Sequence, residues 1–351
     1  MSTIKVGIIG AGAISRDHGN SVNAYAGAEV VAIADPHRQR AKTLAKELGV
    51  KRVYLSAEAL IGDPDIDAVT IAVPNTFHAP YSIAALNAGK HVSLDKPFTL
   101  NAAEAKQVIA AAKRNKKVFM LGMNWRFRPE SQTVREVIKR GDIGDIYHAK
   151  ATILRRTGCP KFGTWFGRKD LAGGGALLDI GVHFLDLCLF VIDNFEPVAV
   201  SGAVYTKFGH RGIGEGGWGH STPGKHVFDV DDFGTALIKM KNGATVTLNA
   251  AWVLHMETPG RMAVEAFGTE GGASVSPPKI FRFAKQKGEY EVVEPQGIKI
   301  PLAHCNRFHN WLDAVNGTDK PLVTLDQALA VQKILDAIYK SSETGREVRI
   351  R

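Results

Sequence analysis

The chain has 351 residues, of which 45% are hydrophobic and 23% are charged, with a formal net charge of +9. This length exceeds what one hydrophobic core usually supports, so it predicts two domains. Lys and Arg are scattered and form no basic run interleaved with aromatics, which argues against a nucleic-acid partner.

Cysteines and apolar segments indicate the compartment. Cys159, Cys188 and Cys305 are far apart and odd in number, which favours neither a disulfide framework nor a zinc knuckle. The N-terminus lacks the basic segment and the cleavage site of a signal peptide. No uninterrupted apolar stretch approaches the roughly 20 residues that a membrane helix needs. We expect a cytoplasmic protein without a membrane partner.

The first third of the chain alternates short β-rich runs with helical segments. The predicted strands are Ile4–Ile9, Val30–Ala34, Ala68–Ala72, His91–Leu94 and Lys117–Leu121. The predicted helices between them include Arg38–Leu48, Ala79–Ala88 and Ala102–Asn115. Near-continuous apolar strands separated by helices indicate a doubly wound parallel sheet of the nucleotide-binding type, with helices on both faces.

After about Gly122 the pattern changes from alternation to consecutive strands. The predicted elements are helix Glu130–Arg140, strand Ile146–Arg155, helix Ala176–Val191, strands Val198–Thr206, Phe233–Lys241, Ala244–Val253, Arg261–Gly268 and Ser274–Ser276, and helices Cys305–Val315 and Leu325–Ser341. Asn242-Gly243 between two of the strands is a strong hairpin signal. Strands joined directly to strands indicate an antiparallel sheet. We therefore predict an α/β dinucleotide-binding domain at residues 1–123 and an α+β domain with an open, largely antiparallel sheet at residues 124–351.

One glycine-rich loop, Gly209–Gly224, is longer than most connections. A lid, an oligomer contact and disorder are equally compatible with its sequence. It contains His210, Trp218 and His220, and His226 follows. The irregular spacing of these residues matches no standard metal site, so we predict no metal.

A glycine-rich turn follows the first strand directly. Gly10 permits a tight turn, and Gly12 lets the backbone approach a pyrophosphate. The phosphates would lie at the start of the next helix, beside Ala13 and Ile14. Ser15 stands at the third fingerprint position, where Gly or Ala is usual.

Asp35 ends the second predicted strand, close to the spacing of about 20 residues expected for the acid that binds the ribose of a dinucleotide. A carboxylate there accepts hydrogen bonds from a ribose diol and repels a 2′-phosphate, which favours NAD over NADP. His37 and Arg38 follow closely enough to bind a phosphate, so NADP remains the alternative.

Three further segments complete a pattern: Ala72–His78, Leu94–Phe98 and Gly173–Asp186. With the glycine-rich turn, they resemble the glucose–fructose oxidoreductase / inositol dehydrogenase / rhizopine-catabolism (Gfo/Idh/MocA) family of sugar and polyol dehydrogenases. The resemblance runs nearly end to end and includes Asn124–Arg128 and the late helix around Phe308–Val315. It implies a Rossmann domain, then an open-sheet domain for substrate binding and for assembly as a homodimer or homotetramer. Asp95 stands where relatives commonly carry Glu.

The resemblance implies that Lys96, Asp179 and His183 are catalytic, and their chemistry agrees. Oxidising a secondary alcohol removes a hydride, which a nicotinamide accepts, and a proton, which the protein must handle. Asp179 and His183 are four apart and project from one face of a helix, and an imidazole is a suitable acid/base near neutral pH. Lys96 follows a strand end and can stabilise an alkoxide and bind the cofactor ribose.

Several points about this set stay open. The sequence does not decide whether Lys96 or His183 finally holds the proton. A surface lysine, a helix-start carboxylate and a core histidine are the structural alternatives for the three residues. The resemblance also suggests a cis bond between Lys96 and Pro97.

Other side chains are expected to contact the ligands. Pro74, Asn75 and His78 follow a strand and should shape the nicotinamide pocket. Aromatic faces pack on sugar C–H surfaces and guanidinium groups bind hydroxyls. The substrate candidates are Asn124, Trp125, Arg126, Arg156 and Trp165, with His304 and His309 as weaker ones.

We therefore expect an NAD-preferring oxidoreductase that acts on a secondary carbon of a sugar, glycoside or cyclitol, in either direction. A hydrolase or epimerase that retains NAD and oxidises its sugar transiently is one alternative. A sensor that binds NAD(P) and sugar without turnover is another. A sensor needs no proton chemistry, so the presence of all three candidate catalytic residues argues against it.

Overall fold

A computed structural model describes residues 3–217, 221, 224, 226–284, 288–300 and 306–350. The chain divides into two compact units. The first comprises Met1–Gly122 and Asn306–Leu329, and the second comprises Met123–Cys305 and Ala330–Arg351. The sequence analysis did not anticipate that a C-terminal segment returns to the first unit. The functional domains at residues 1–123 and 124–351 stay a prediction.

The first unit contains a six-stranded parallel sheet with the order β3-β2-β1-β4-β5-β6. Its strands are β1 (Ile4–Ile9), β2 (Ala28–Ala34), β3 (Arg52–Tyr54), β4 (Ala68–Ile71), β5 (His91–Leu94) and β6 (Phe119–Leu121). The predicted doubly wound parallel sheet is confirmed, and the short edge strand β3 is an addition. The strand order reverses between β1 and β4, and ligands bind outside the carboxyl ends of strands at such a point.

Each helix for which the sequence predicted bounds has a counterpart, with ends that differ by six residues or fewer, whereas α3 and α7 were not predicted. They are α1 (Ser15–Asn23), α2 (Arg38–Leu48), α3 (Ala57–Ile61), α4 (His78–Asn87), α5 (Ala102–Asn115), α6 (Pro129–Lys139), α7 (Lys169–Ala172), α8 (Val182–Val191), α9 (Arg307–Asn316) and α10 (Leu325–Thr344). Helix α9 begins after Asn306, whose side chain accepts a hydrogen bond from Phe308 N. Cys305, the predicted first residue of this helix, lies outside the described residues.

The second unit contains a nine-stranded sheet with the order β14-β13-β12-β11-β7-β10-β9-β8-β15. The strands are β7 (Ile146–Arg155), β8 (Pro197–Tyr205), β9 (Phe233–Met240), β10 (Thr245–Ala251), β11 (Gly260–Gly268), β12 (Gly272–Ser274), β13 (Lys279–Phe283), β14 (Tyr290–Val293) and β15 (Val348–Arg349). Strands β7 and β10 are parallel, and the other neighbours are antiparallel. The predicted largely antiparallel sheet is confirmed, and β13, β14 and β15 were not predicted.

The hairpin predicted at Asn242-Gly243 joins β9 to β10. Gly243 has a φ of +88°, which few other residues adopt, and its N–H donates to the Met240 carbonyl oxygen at 3.0 Å. The local turn chemistry therefore sets the register of two central strands.

The segment Lys169–Val191 is long and apolar enough by composition to cross a membrane, contrary to the expectation from the sequence. In its most apolar window, 89% of the residues are buried inside the protein. This burial is typical of a core helix. The predicted helix Ala176–Val191 also differs in form, because Leu177–Gly181 is a π-helical turn and regular α-helix begins at Val182.

Candidate active site

The glycine-rich turn after β1 has one glycine that the fold requires and one that it does not. Gly10 has a φ of +100°, and a Cβ atom there would lie 2.2 Å from the Ala72 carbonyl oxygen. At Gly12, a Cβ atom would meet none of the described atoms within 4 Å, its two chain neighbours apart. The described chain therefore gives no packing reason for glycine at position 12, and the open space beside it suits a bound pyrophosphate.

Helix α1 begins at this turn, where Ser15 N donates to the Gly12 carbonyl oxygen at 3.2 Å. Within the described residues, no side chain caps it at Ile14. Ala13 and Ile14 are exposed just before the helix. Uncapped N–H groups and the positive end of the helix dipole form an anion-binding site. A dinucleotide pyrophosphate fits this arrangement.

Asp35 follows β2 and is held against the same turn. Its Oδ2 accepts a hydrogen bond from Ala11 N at 2.8 Å, and its Oδ1 accepts one from His37 N at 2.7 Å. The carboxylate is thus fixed beside the glycine-rich backbone, where a ribose diol would follow the pyrophosphate. These residues fit an NAD cofactor.

His78 connects two loops inside the first unit. Its ring is buried, with Nδ1 2.8 Å from the Pro97 carbonyl oxygen and Nε2 3.1 Å from the Val73 carbonyl oxygen. Burial lowers the pKa of His78, and a neutral ring can donate only one of these two hydrogen bonds. Because both nitrogens face backbone carbonyls, we do not retain the predicted direct contact of His78 with the cofactor. The ring instead ties the loop after β5 to the loop after β4.

Lys96 lies in the loop after β5, where it is half-buried. The Lys96–Pro97 bond is cis, as the resemblance suggested. Asp95 Oδ1 accepts a hydrogen bond from the backbone N of Lys96 at 2.9 Å. The carboxylate that precedes the lysine therefore also fixes the backbone from which the lysine extends. Pro74 is half-buried and Asn75 is buried in the preceding loop.

A largely buried charge network surrounds Asp95. Arg307 Nη1 donates to Asp95 Oδ1 at 3.1 Å and to the Gly122 carbonyl oxygen at 2.8 Å. Arg307 Nη2 lies 2.7 Å from His18 Nε2, which must accept, so His18 Nδ1 carries the proton near Thr70 Oγ1. Burial alone would raise the pKa of Asp95, but chiefly the charge of Arg307 holds it well below its ordinary value.

In the second unit, Asp179 and His183 differ from the residues around them. From Gly174 to Ile192, every residue is buried except these two, which are half-buried. Asp179 belongs to the π-helical turn, and His183 lies in the first turn of α8. A carboxylate and an imidazole are therefore the accessible groups of an otherwise buried helical segment.

Asp179 has a specific buried partner. Its Oδ2 accepts a hydrogen bond from the indole Nε1 of Trp252 at 2.9 Å. Trp252 is fully buried just after β10. The sequence analysis missed this contact.

The predicted substrate residues occupy different environments. Asn124 and Arg156 are exposed, and Arg156 Nη1 donates to the Glu257 carbonyl oxygen at 3.3 Å. Trp125 packs on Phe184, next to His183, with ring centroids 5.0 Å apart. Trp165 stacks on Phe166 at 3.9 Å.

The prediction for Arg126 is not supported by its surroundings. Its side chain is fully buried, and its Nε donates to Asp186 Oδ2 at 2.8 Å. The guanidinium also lies over the rings of Phe190 and Phe195. We therefore remove Arg126 from the substrate set, because a buried cation needs the internal partner that it has here.

Comparisons with known proteins show the family to which the chain belongs. A family model described as an oxidoreductase family with an NAD-binding Rossmann fold matches residues 4–123, and the GFO/IDH/MocA C-terminal domain matches residues 131–274. The chain is 30% identical to D-glucoside 3-dehydrogenase of Escherichia coli over 99% of this chain and 98% of that protein. The chain belongs to the Gfo/Idh/MocA family of oxidoreductases.

Levoglucosan dehydrogenase is similar to this chain in sequence and in structure. Levoglucosan dehydrogenase of Pseudarthrobacter phenanthrenivorans is 30% identical over 77% of this chain and 73% of that protein. A solved structure of levoglucosan dehydrogenase in complex with NADH and L-sorbose has a TM-score of 0.85, with 25% identity and 100% coverage of both chains. The protein is thus an NAD-binding oxidoreductase.

The remaining candidates are His309, His210, His304, Trp218 and His220. His309 is in the first unit, with its ring 5.5 Å from that of Tyr25. His210 is exposed in a short 3-10 turn. His304, Trp218 and His220 lie outside the described residues.

Sequence reasoning also missed Arg307 and Trp252, whose side chains contact Asp95 and Asp179. Arg307 directly follows a helix-capping Asn306, and Trp252 directly follows strand β10. Neither position carries a spacing signal that relates it to Lys96 or Asp179. The family segments name the candidate residues, but only the tertiary structure shows which residues contact them.

Proposed function

We propose that this Gfo/Idh/MocA enzyme moves a hydride between NAD and a secondary hydroxyl or ketone carbon of a sugar, glycoside or cyclitol. The named relatives support this substrate class, since they include a D-glucoside 3-dehydrogenase and a levoglucosan dehydrogenase. The observation that carries the proposal is the exposure of Asp179 and His183 alone in the buried segment Gly174–Ile192. Two polar groups of acid/base character are kept accessible where packing would favour apolar residues.

Lys96, Asp179 and His183 form the proposed catalytic set. When bound, the cofactor accepts or returns the hydride. The Lys96 ammonium hydrogen-bonds the substrate oxygen and stabilises negative charge that develops there. His183 takes the hydroxyl proton in oxidation and returns it in reduction. Asp179 orients the imidazole or binds the substrate hydroxyl.

The cofactor and substrate contacts follow from the positions described above. Gly10 and Gly12 shape the phosphate turn, and Asp35 binds the adenosine ribose. The other proposed cofactor contacts are Ala13, Ile14, Pro74, Asn75 and Lys96. The proposed substrate contacts are Asn124, Trp125, Arg156 and Trp165. Asp35 makes NAD the preferred cofactor over NADP.

A substrate panel tests the proposal. Methyl D-glucosides, levoglucosan and myo-inositol are incubated with NAD or NADP, and NADH formation is compared for wild type, Lys96→Ala and His183→Ala. Lys106→Ala, at an exposed position of α5, is the matched control. We expect both site variants to lose at least about a hundredfold in rate. Wild-type rates in both variants would refute the catalytic assignment.

The same panel separates the alternatives. An NAD-retaining hydrolase or epimerase would change the sugar without net NADH release, which product chromatography detects. A sensor would bind NADH and sugar, but neither ligand would change chemically. A stoichiometric yield of NADH and ketosugar supports the dehydrogenase.

The protein is further proposed to be a cytoplasmic homodimer or homotetramer. The face of β8 and β9 carries partly exposed apolar side chains, since Tyr205 is 42% and Leu237 is 40% exposed. Tyr205 also stacks on Phe233 across these strands, with ring centroids 5.8 Å apart. Light scattering should give a multiple of the chain mass, and Leu237→Glu should reduce it. A monomer at micromolar concentration would contradict this assembly.

A further inference from the structure

The side chain of Trp252 is placed to orient the carboxylate of Asp179. It lies just after β10, it is fully buried, and its only polar side-chain atom donates to Asp179 Oδ2 at 2.9 Å. A buried indole N–H usually donates to an acceptor, and a large flat ring held on all sides moves little. The acceptor here is the half-buried side chain of Asp179. The hydrogen bond therefore links a rigid core residue to an accessible carboxylate.

The backbone that carries Asp179 is fixed independently of Trp252. Buried Asp231 accepts from Gly175 N at 2.7 Å, from Leu177 N at 2.9 Å and from the Tyr339 hydroxyl at 2.7 Å. A Cβ atom at Gly175 would lie 1.8 Å from the Asp231 carbonyl oxygen, so the two segments are in close contact. With the start of the turn held in this way, the remaining freedom of Asp179 is rotation of its side chain.

The other end of the π-helical turn is also held. A Cβ atom at Gly181 would lie 2.9 Å from the Ala250 Cβ atom on β10, the strand that leads to Trp252. The turn and the indole are therefore positioned by the same strand. π-helical turns inside α-helices are frequent at functional sites.

We propose that Trp252 is a positioning residue that holds Asp179 in its working rotamer through the Nε1–Oδ2 hydrogen bond. The proposal rests on the catalytic role proposed for Asp179. Trp252 acts on the reaction only through that carboxylate. Loss of the indole N–H should therefore lower kcat. It should not alter cofactor binding at the glycine-rich turn after β1.

A double-mutant cycle tests this dependence, with the best-oxidised sugar of the panel as substrate. The variants are Trp252→Phe, Asp179→Asn and the double variant. We expect Trp252→Phe to lower kcat by about tenfold or more, since a hydrogen bond to a charged group is lost. The KM for NAD should stay within about twofold of wild type, because a contact that acts only in the chemical step does not alter ground-state binding. The double variant should be no slower than Asp179→Asn alone, because the two residues act as one unit.

Trp311→Phe is the matched control. Trp311 is also fully buried, and its indole N–H has no hydrogen-bond partner among the described residues. The Trp311→Phe variant should lose a similar area of ring packing but keep the wild-type kcat. If Trp252→Phe folds poorly, benzothienylalanine at position 252 keeps the ring shape and removes only the N–H donor.

The outcomes distinguish the two proposals. If Asp179→Asn retains full activity, the proposed catalytic set is wrong and the role of Trp252 fails with it. Only the positioning role is overturned if Asp179→Asn is impaired but Trp252→Phe keeps the wild-type kcat. The same holds if the two losses in kcat multiply in the double variant. Full activity with benzothienylalanine at position 252 would likewise overturn the positioning role alone.

Discussion

Arg307 donates from Nη1 to Asp95 Oδ1 at 3.1 Å, although the two residues are 212 positions apart in sequence. Asp95 in turn accepts a hydrogen bond from the backbone N of Lys96. A residue near the C-terminus therefore fixes the carboxylate that precedes the proposed catalytic lysine. Helix α9 completes the nucleotide-binding unit, and the loop after β5 depends on it for its geometry.

Removing this cation should destabilise the protein. Arg307→Met would remove the Arg307 partner of Asp95 and of the Gly122 carbonyl oxygen, and breaking this largely buried pair should cost up to about 3 kcal/mol. Urea unfolding measures the loss. Arg16→Met is the control, because the Arg16–Glu47 pair is exposed and should contribute little. Equal midpoints for the two variants would contradict the role of Arg307.

His18 should make the free energy of unfolding depend on pH in the acidic range. Burial, followed by the charge of Arg307, lowers the pKa of His18 to about 3. Between pH 6.5 and about 3, the unfolded chain binds a proton on His18 that the folded protein does not, so the free energy of unfolding falls as the pH falls. This group alone contributes on the order of 4 kcal/mol over that window.

His18→Gln tests this dependence, because its amide keeps a donor and an acceptor but does not titrate. The stability difference between wild type and His18→Gln should shrink as the pH falls from 6.5 towards 3. The exposed control His210→Gln should follow wild type. A difference that is constant with pH would exclude a buried neutral His18.

Substitutions at Gly10 and Gly12 should affect different properties, stability in the first case and cofactor binding in the second. Gly10→Ala places a Cβ atom 2.2 Å from the Ala72 carbonyl oxygen at a positive φ, so the melting temperature should fall. Gly12→Val extends into open space, so stability should change little while NADH binding is lost. Calorimetry and NADH fluorescence titration measure the two effects. Tight NADH binding by Gly12→Val would place the pyrophosphate elsewhere.

Asp35 should set the cofactor preference. Asp35→Ser removes the ribose acceptor and the repulsion of a 2′-phosphate, so NAD should lose about tenfold or more in kcat/KM while NADP loses less. Loss of the Ala11 hydrogen bond affects both cofactors equally, so the NAD/NADP ratio is the informative quantity. Asp142→Ser, at an exposed position, is the control. An unchanged ratio would remove Asp35 from the ribose site.

Local patterns predicted most of the fold because each rests on neighbouring residues. The apolar runs of the parallel strands, the Gly10 turn and the Asn242-Gly243 hairpin need no distant partner to be recognised. Strands β13 and β14 were missed because their exposed faces include apolar residues such as Phe283, which is 78% exposed, and this weakens the alternation.

The site could be predicted only in part, because charge type does not reveal burial. Arg126 looked like a substrate ligand, yet Asp186 and two phenylalanine rings surround it. His78 looked like a cofactor contact, yet two carbonyl oxygens flank its ring. The contacts of Arg307 and Trp252 join residues far apart in sequence, and no single-sequence pattern encodes them.

Deuterium transfer tests the central claim most directly. Methyl glucoside deuterated at every ring carbon is incubated with NAD and the enzyme, and the mass of the reduced cofactor is measured by mass spectrometry. If a ring C–H is the hydride donor and Lys96 and His183 handle the proton, deuterium enters the nicotinamide ring, and Lys96→Ala and His183→Ala slow its appearance sharply. A reduced cofactor without deuterium, or wild-type transfer in both variants, would contradict the account.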